Sequence, residues 1–208
     1  PTAVLSTHTS GFTGYTFRDL TADIPQIAAH WKGLDLHFDG IYTGYLGSRE
    51  QVQIMADFFD AFRSEDTVIV VDPVMGDAGS MYAGLKPDFA VEMRKLCGKD
   101  DVIATNLTEV SLLLGIPYAE QCPLETVKTY LKQLTEICYP ISFITYIQNL
   151  DQHVSIAYDI ITGSYYTAYR EHVPEPMHGT GDIFASVLSG ALVRGASIEQ
   201  ALSIAVNF

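Results

Sequence analysis

The residues best suited to chemistry lie in one short run, Gly179-Thr180-Gly181-Asp182. Two glycines around a threonine favour a tight turn, because glycine adopts positive φ at little steric cost. Apolar residues follow at helical spacing, which predicts a helix over about residues 182–194. The unpaired N–H groups at a helix start form an anion site, and Asp182 beside them could take a proton from an attacking hydroxyl. Helix capping by Thr180 or Asp182 is an equally good interpretation of the local sequence.

Two more carboxylates follow the strongest strand signal in the chain. Residues 67–71 form a continuous run of Thr, Val and Ile, typical of a parallel strand covered on both faces. The run leads into Asp72-Pro73-Val74-Met75-Gly76-Asp77, and open α/β sheets bind ligands at the carboxyl ends of their strands. An aspartate before a proline can also simply end a strand in a turn, and the pattern leaves both interpretations open.

The third candidate pattern is Asn106-x-x-Glu109, which follows another predicted strand. Taken alone, the spacing favours a capping box, a device that stabilises a helix start by about 1 kcal/mol. In the same sheet as Asp72, the pattern is also a candidate holder of Mg²⁺, which keeps several waters and uses only one or two carboxylates.

Strand and helix patterns alternate along the chain, which predicts an α/β fold with a mainly parallel sheet flanked by helices. We expect one antiparallel hairpin, because residues 153–158 and 165–169 alternate in polarity around a turn. Ser48 is predicted to cap a helix, and Asp19 or Thr21 to cap an earlier one. The remaining strands are predicted near residues 2–6, 39–47, 101–104 and 141–146, and the remaining helices near 87–97, 106–114, 124–137 and 197–208.

Composition restricts the class of protein. With 208 residues, one domain over residues 1–208 is the expectation. The 12 Lys and Arg against 25 Asp and Glu give a formal charge of −13, which argues against binding nucleic acid or an anionic membrane. Short apolar runs, the lack of a signal peptide pattern and three widely spaced cysteines indicate reduced thiols in a cytoplasmic protein. The chain begins without methionine and ends inside a helical pattern, so we expect the natural protein to extend further.

Three common motifs of catalytic α/β proteins are missing from the sequence. There is no G-x-x-x-x-G-K-[ST] run, which excludes a P-loop protein. There is no G-x-G-x-x-G after the first strand and no G-x-S-x-G elbow, which excludes Rossmann dehydrogenases and α/β-hydrolases.

Four segments together resemble the pyridoxal kinases of the ribokinase-like superfamily, and the resemblance covers nearly the whole chain. The glycine turn with its aspartate marks the superfamily, whereas the DPVMGD and GSMY runs indicate pyridoxal kinases or their hydroxymethylpyrimidine-kinase relatives. The run at residues 41–48 favours pyridoxal kinase. The four segments are Leu5-Ser6-Thr7-His8-Thr9, Asp72-Pro73-Val74-Met75-Gly76-Asp77 with Gly79-Ser80-Met81-Tyr82, Asn106-Leu107-Thr108-Glu109 and Gly179-Thr180-Gly181-Asp182.

The resemblance implies a role for each matched residue. Asp182 would accept the proton of the substrate's hydroxymethyl group, and Asp72 and Glu109 would act near Mg²⁺. The other roles are phosphoryl binding by the backbone of Gly179, Thr180 and Gly181, nucleotide binding by Asp77, Tyr82, Asn106 and Thr145, and pyridoxal binding by Thr9 and Tyr45.

These roles imply phosphorylation of the 5′-hydroxymethyl group of pyridoxal, pyridoxamine or pyridoxine in cofactor salvage. The implied enzyme is a cytoplasmic homodimer that uses ATP and Mg²⁺, with K⁺ as a further candidate cofactor. The nearest alternative is a hydroxymethylpyrimidine kinase of thiamine synthesis, which would use the same machinery with a different ring pocket. A third hypothesis is a relative that binds ligand without catalysis.

The chain also departs from the family pattern. The family's first strand would precede Pro1, and its closing helices would follow Phe208. Ala104 and Thr105 precede Asn106, where the family has Thr-Pro, so a hydroxyl near the phosphates is displaced or lost. Tyr146 follows Thr145, where the family has a small residue, and its ring could crowd the nucleotide.

Overall fold

One six-stranded mixed sheet organises the computed structural model, which describes residues 18–86, 88–138, 140–149, 152–171 and 179–208. Seven described helices pack around it. The strands are β1 (Gly40–Thr43), β2 (Val68–Val71), β3 (Gly76–Asp77), β4 (Ser80–Met81), β5 (Val102–Thr105), β6 (Ile141–Asn149), β7 (Gln152–Asp159) and β8 (Ser164–Glu171). The helices are α1 (Ile24–Gly33), α2 (Arg49–Phe62), α3 (Phe89–Cys97), α4 (Leu107–Leu114), α5 (Leu124–Leu134), α6 (Thr180–Val193) and α7 (Ile198–Asn207).

The sheet has the order β1-β2-β5-β6-β7-β8, and its first four strands are parallel. Strands β7 and β8 complete it in antiparallel pairings, while β3 and β4 form a separate two-stranded hairpin. This arrangement confirms the predicted α/β class with a mainly parallel sheet. Because the carboxyl ends of parallel strands lie on the same side, the loops after β1, β2 and β5 all open in one direction.

Helices cover both faces of the sheet, and alternate residues of β2 show the two layers. Ile69 and Val71 belong to a large apolar cluster that also contains side chains of α1 to α5. Val70, between them, belongs to a second cluster with α6 and α7. All three are fully buried, which explains why this strand reads as an uninterrupted apolar run. None of the described helices is long and apolar enough to cross a membrane.

Local signals positioned several elements correctly. The Ser48 side chain accepts a hydrogen bond from Gln51 N at the start of α2 (3.1 Å), as predicted. Asn106 and Glu109 form the predicted capping box at the start of α4. The hairpin of β7 and β8 is confirmed as well.

Tertiary contacts changed other predictions. Neither Asp19 nor Thr21 caps α1, which begins after Asp23. The two side chains bond to each other, and Gln51 of α2 donates to Thr21 Oγ1 (2.9 Å), so a contact between elements replaces the local cap. Strand β6 continues to Asn149, beyond the predicted end near residue 146, because it pairs with β7. The predicted strand near residues 2–6 lies outside the described residues.

Candidate functional site

The candidate site lies at the carboxyl end of the sheet, by which we mean the loops after β1, β2 and β5 and the first turn of α6. The loop after β1 reaches α6 directly: a Cβ built on Gly44 would lie 3.5 Å from Asp182 Oδ1. The next loop is joined to β1, since Asp72 N donates to Thr43 O (2.8 Å). The structure therefore brings the aspartate of the glycine turn close to the aspartate that follows β2.

The glycine turn begins α6 as predicted. Gly179 has φ of 86°, a left-handed conformation that suits glycine, and Gly179 O accepts the first helical bond from Ile183 N (3.0 Å). The N–H groups of the three residues between them precede that bond, so the helix offers them no carbonyl partner. Gly179 is the N-cap of α6, so neither Thr180 nor Asp182 occupies the capping position.

The described residues leave room beside the backbone of the turn. A Cβ built on Gly181 would meet no atom of the described residues within 4 Å, and Gly181 does not have positive φ. Neither backbone strain nor packing against the described chain requires glycine at this position. A ligand that approaches the backbone closely would require it.

The carboxyl groups of Asp72 and Asp182 influence each other. Asp72 is buried at 7% exposure, and burial together with the charge of Asp182 raises its pKa to about 8. Asp182 is exposed, but enough protein surrounds its carboxyl group to raise its pKa as well. A raised pKa suits a group that must accept a proton during a reaction.

Glu109 is held by the backbone on both sides. Its Oε2 accepts from Asn106 N (2.9 Å) and its Oε1 from Met75 N (3.3 Å). Glu109 is buried at 3% exposure, and burial, together with the charge of Asp72, raises its pKa well above the ordinary range. The capping box and the position beside Asp72 therefore occur together, although the sequence presented them as alternatives.

The β3–β4 hairpin is fixed onto the start of α4. Asn106 Nδ2 donates to Gly76 O (3.0 Å), and Thr108 Oγ1 accepts from Gly79 N (2.9 Å). The hairpin carries Asp77, which is exposed, and leads into Tyr82, whose pKa rises to about 12 through burial and the charges of Asp77, Glu109, Asp72 and Asp182. Both residues predicted on the nucleotide side thus lie beside the carboxylates.

Three predicted site residues remain: Thr145, Tyr45 and Thr9. The Thr145 hydroxyl is buried and donates to Thr105 O (3.2 Å), so it ties β6 to β5. Tyr45 is half-buried, and its ring lies 3.5 Å from where a Cβ of Gly47 would be. Thr9 lies outside the described residues.

Sequence reasoning gave Tyr42 no role at the site. Its hydroxyl oxygen is buried without a hydrogen-bond partner of normal geometry in the described chain, yet Asp72, Asp182 and Ser186 lie close enough to influence its pKa. Burial and the two aspartate charges raise that pKa far above the usual value. The sequence signal that could have identified Tyr42 is its place in the strand next to β2, because alternate residues of β1 face α6.

Taken together, the carboxyl end of the sheet has a helix start whose first N–H groups have no helical partners, a nearby carboxylate with a raised pKa in Asp182, and two buried carboxylates in Asp72 and Glu109. Phosphoryl transfer depends on these parts: positioning, neutralisation of charge and a proton acceptor for the attacking hydroxyl.

Comparison with known proteins finds kinases of one family under two names. The family model described as phosphomethylpyrimidine kinase matches residues 2–208. A structure from Bacteroides thetaiotaomicron, named as a phosphomethylpyrimidine kinase, is 39% identical with a TM-score of 0.94, over 97% of this chain and 70% of that one. A second crystal form of that protein contains pyridoxal. Pyridoxal kinase from Lactobacillus plantarum is 35% identical with a TM-score of 0.86, over 97% and 71% of the two chains.

Two sequence relatives carry different names. The hydroxymethylpyrimidine/phosphomethylpyrimidine kinase of Bacillus subtilis is 28% identical over 100% of this chain and 74% of its own length. A Saccharomyces cerevisiae protein named as a pyridoxal kinase is 26% identical over 73% of this chain, which spans only 50% of that relative.

Proposed function

The chain belongs to the phosphomethylpyrimidine kinase family of ribokinase-like proteins, and we propose that it transfers phosphate from ATP to the 5′-hydroxymethyl group of pyridoxal and its vitamers. One observation carries the proposal. The start of α6 presents N–H groups without helical partners beside Asp182, and no atom of the described residues lies within 4 Å of where a Cβ of Gly181 would be. An anion site and a proton acceptor adjoin there, as transfer of a phosphoryl group to a hydroxyl requires.

Asp182 is proposed to accept the proton of the attacking hydroxymethyl group. It lies in the first turn of α6, so a hydroxyl held near it would also face the free N–H groups. Its raised pKa makes the carboxylate a better proton acceptor than an ordinary aspartate. Backbone N–H groups of residues 180–182 would stabilise the charge on the transferring group.

The charges at the site fit a divalent cation. Burial raises the pKa of both Asp72 and Glu109, the charge of Asp182 raises that of Asp72 further, and the charges of Asp72 and Asp77 raise that of Glu109. In the described part of the chain no three His, Cys, Asp or Glu side chains converge as a metal cage, so the other ligands of Mg²⁺ would be water and phosphate oxygens. When bound, Mg²⁺ would neutralise the phosphates. Asp77 and Tyr82 would contact the nucleotide from the β3–β4 hairpin.

Pyridoxal is proposed ahead of the pyrimidine because of two of the relatives. The Bacteroides thetaiotaomicron protein has a crystal form with pyridoxal, and the Lactobacillus plantarum protein is named pyridoxal kinase. The half-buried ring of Tyr45 would pack against the pyridine face. A hydroxymethylpyrimidine kinase is the second candidate, favoured by the family description and the Bacillus subtilis relative. A relative that binds ligand without turnover is the third.

The test is ATP consumption by the natural protein with Mg²⁺ and, in parallel, pyridoxal, pyridoxamine, pyridoxine, hydroxymethylpyrimidine or ribose. We expect turnover to be fastest with a pyridoxal vitamer. Asp182→Asn keeps the shape and removes the base, so kcat should fall by about 10²- to 10⁴-fold. Glu199→Gln is a matched control, because Glu199 is an exposed acid in the first turn of α7.

Each other outcome has a definite meaning. Fastest turnover with hydroxymethylpyrimidine would move the protein to thiamine synthesis with its chemistry unchanged. Near-normal kcat in Asp182→Asn would remove the assigned base. Binding of pyridoxal or ATP by calorimetry without turnover would establish the third candidate.

A further inference from the structure

Tyr146 has an unusual backbone conformation within β6. Its φ is 55°, in the left-handed region that large side chains rarely adopt. The pairing of β6 with β7 shifts register between Ile144 and Ile147, so Tyr146 occupies a bulge. Such a conformation is strained and persists only where surrounding contacts hold it, often at functional sites.

The side chain contacts the first turn of α6 at two points. The Tyr146 hydroxyl donates to Thr180 O (3.1 Å), and its ring meets the buried ring of Phe184 edge-on, with centroids 6.4 Å apart. Phe184 lies one turn after Thr180, so both contacts hold the same part of the helix. The ring of His153, on β7, also meets the Tyr146 ring edge-on, with centroids 6.2 Å apart.

Burial of apolar surface does not account for this arrangement. Tyr146 remains 41% exposed, and glycine at this position would avoid the cost of the backbone conformation. The hydroxyl contact, in contrast, requires a long side chain that leaves the sheet at the bulge and ends at Thr180.

The carbonyl of Thr180 belongs to the same peptide group as the N–H of Gly181. That group is planar and trans, so its C=O and N–H point in opposite directions and turn together. A hydrogen bond to Thr180 O therefore fixes the direction of the Gly181 N–H. It also polarises the peptide group, which strengthens the N–H as a donor.

We propose that Tyr146 is a positioning residue that aims the Gly181 N–H at the transferring phosphoryl group by holding the Thr180 carbonyl. The proposal rests on the proposed phosphotransfer function. It assigns Tyr146 a supporting role in catalysis through the backbone of the glycine turn.

The experiment compares Tyr146→Phe, which removes only the hydroxyl, with Tyr165→Phe. Tyr165 is the matched control, because its hydroxyl also donates to a backbone carbonyl, Lys128 O (3.3 Å), away from the site. Loss of the hydroxyl at Tyr146 should lower kcat about tenfold, since misaimed groups at a reacting centre are costly. The KM for pyridoxal and the melting temperature should change little, whereas Tyr165→Phe should leave kcat unchanged.

A second measurement does not depend on turnover. The amide resonance of Gly181 in a ¹⁵N-labelled sample should shift in Tyr146→Phe and stay in place in Tyr165→Phe. If the wild-type protein consumes no ATP with any substrate, the proposed function fails, while this resonance still tests the link from Tyr146 to Gly181.

Two results would overturn the proposal. One is an active wild type with kcat of Tyr146→Phe within twofold of it and an unmoved Gly181 resonance. The other is a rise of kcat/KM for ATP in Tyr146→Ser, because Tyr146 would then obstruct the nucleotide instead of aiming the backbone.

Discussion

Asp101, at the amino end of the parallel strands, and Asp72, at their carboxyl end, differ in how their charge is compensated. At the amino end of β5, Asp101 has partners on both oxygens: Arg63 Nη1 donates to Oδ1 (2.9 Å) and Ile69 N to Oδ2 (2.7 Å). Its neighbour Asp100 is buried; Oδ1 accepts from Cys138 Sγ (2.6 Å), whereas Oδ2 has no hydrogen-bond partner in the described chain. At the carboxyl end, Asp72 and Asp182 act on each other as like charges.

The difference between Asp101 and Asp72 indicates which of the two groups the folded chain itself compensates. The partners of Asp101 fasten the loop before β5, and the bond from Cys138 to Asp100 ties the loop before β6 to it. Like charges held close together at the carboxyl end reduce stability, and such arrangements are typical of sites that a ligand or cation completes. Substitutions at the two ends should therefore separate stability from activity.

The largest expected separation is at Gly181. Replacement by alanine in a helix should raise the free energy of unfolding by about 0.5–1 kcal/mol, because glycine is the more flexible residue. The added methyl group would occupy the space where the phosphoryl group is expected, so kcat should fall about 100-fold. Kinetic assays and denaturant unfolding measure the two effects.

Gly190→Ala provides the control for Gly181→Ala. Gly190 is in the same helix, and a Cβ there would also meet no described atom within 4 Å. It should gain similar stability with unchanged kcat. Equal kcat for both alanine variants would show that no ligand approaches Gly181.

Cys138 should show the reverse pattern. In Cys138→Ala the buried Asp100 Oδ1 loses its donor, which should lower the free energy of unfolding by about 1–3 kcal/mol. Activity per folded molecule should not change, since the residue lies at the amino end of β6. Cys138→Ser retains a donor and should lose less. A drop in kcat for correctly folded Cys138→Ala would contradict the separation of the two ends.

Sequence patterns could predict which residues lie at the carboxyl end of the sheet. The run at residues 67–71, the Asn106 cap and the glycine turn are local signals, and parallel pairing then brings their ends to one side of the sheet. Distances between the carboxyl groups depend on how strands and helices pack, which no local pattern encodes.

Tyr146 and the β3–β4 hairpin show which features could not be predicted from the sequence. The bulge at Tyr146 arises from register in the β6–β7 pairing, and the hairpin is held by the side chains of Asn106 and Thr108 some 30 positions away. Both depend on contacts between distant segments. The predicted caps at Asp19 and Thr21 failed for the same reason, because Gln51 competes for them.

Asp72→Asn tests the electrostatic cost at the carboxyl end. The folded-state pKa of about 8 lies above the ordinary 3.8, so the folded protein binds the proton more tightly and loses stability as pH rises between these values. The variant should therefore be more stable than wild type by at least about 1 kcal/mol at pH 8, with the gain shrinking towards pH 4. Its kcat should fall, because the charge proposed to hold Mg²⁺ is lost.

Thermal unfolding of Asp72→Asn at several pH values measures this gain. Asp57→Asn, an exposed change of the same kind on α2, is measured in parallel as the control. A stability difference for Asp72→Asn that stays constant from pH 5 to pH 8 would contradict the assigned repulsion.

The smallest expected effect is at Gly44, where the loop after β1 meets the first turn of α6. A methyl group there would lie 3.2 Å from Tyr42 Oη and 3.5 Å from Asp182 Oδ1, so the neighbours must move by a few tenths of an ångström. We expect Gly44→Ala to lower kcat about threefold, with little change in stability, because a small displacement of the proton acceptor matters more for reaction than for packing.

Tyr42→Phe removes the closer of the two atoms, so Gly44→Ala should lower kcat less in that background. The coupling between the two changes is then the measurement, since it isolates their contact from the separate effect of each. Additive losses would mean that the methyl group acts on Asp182 alone.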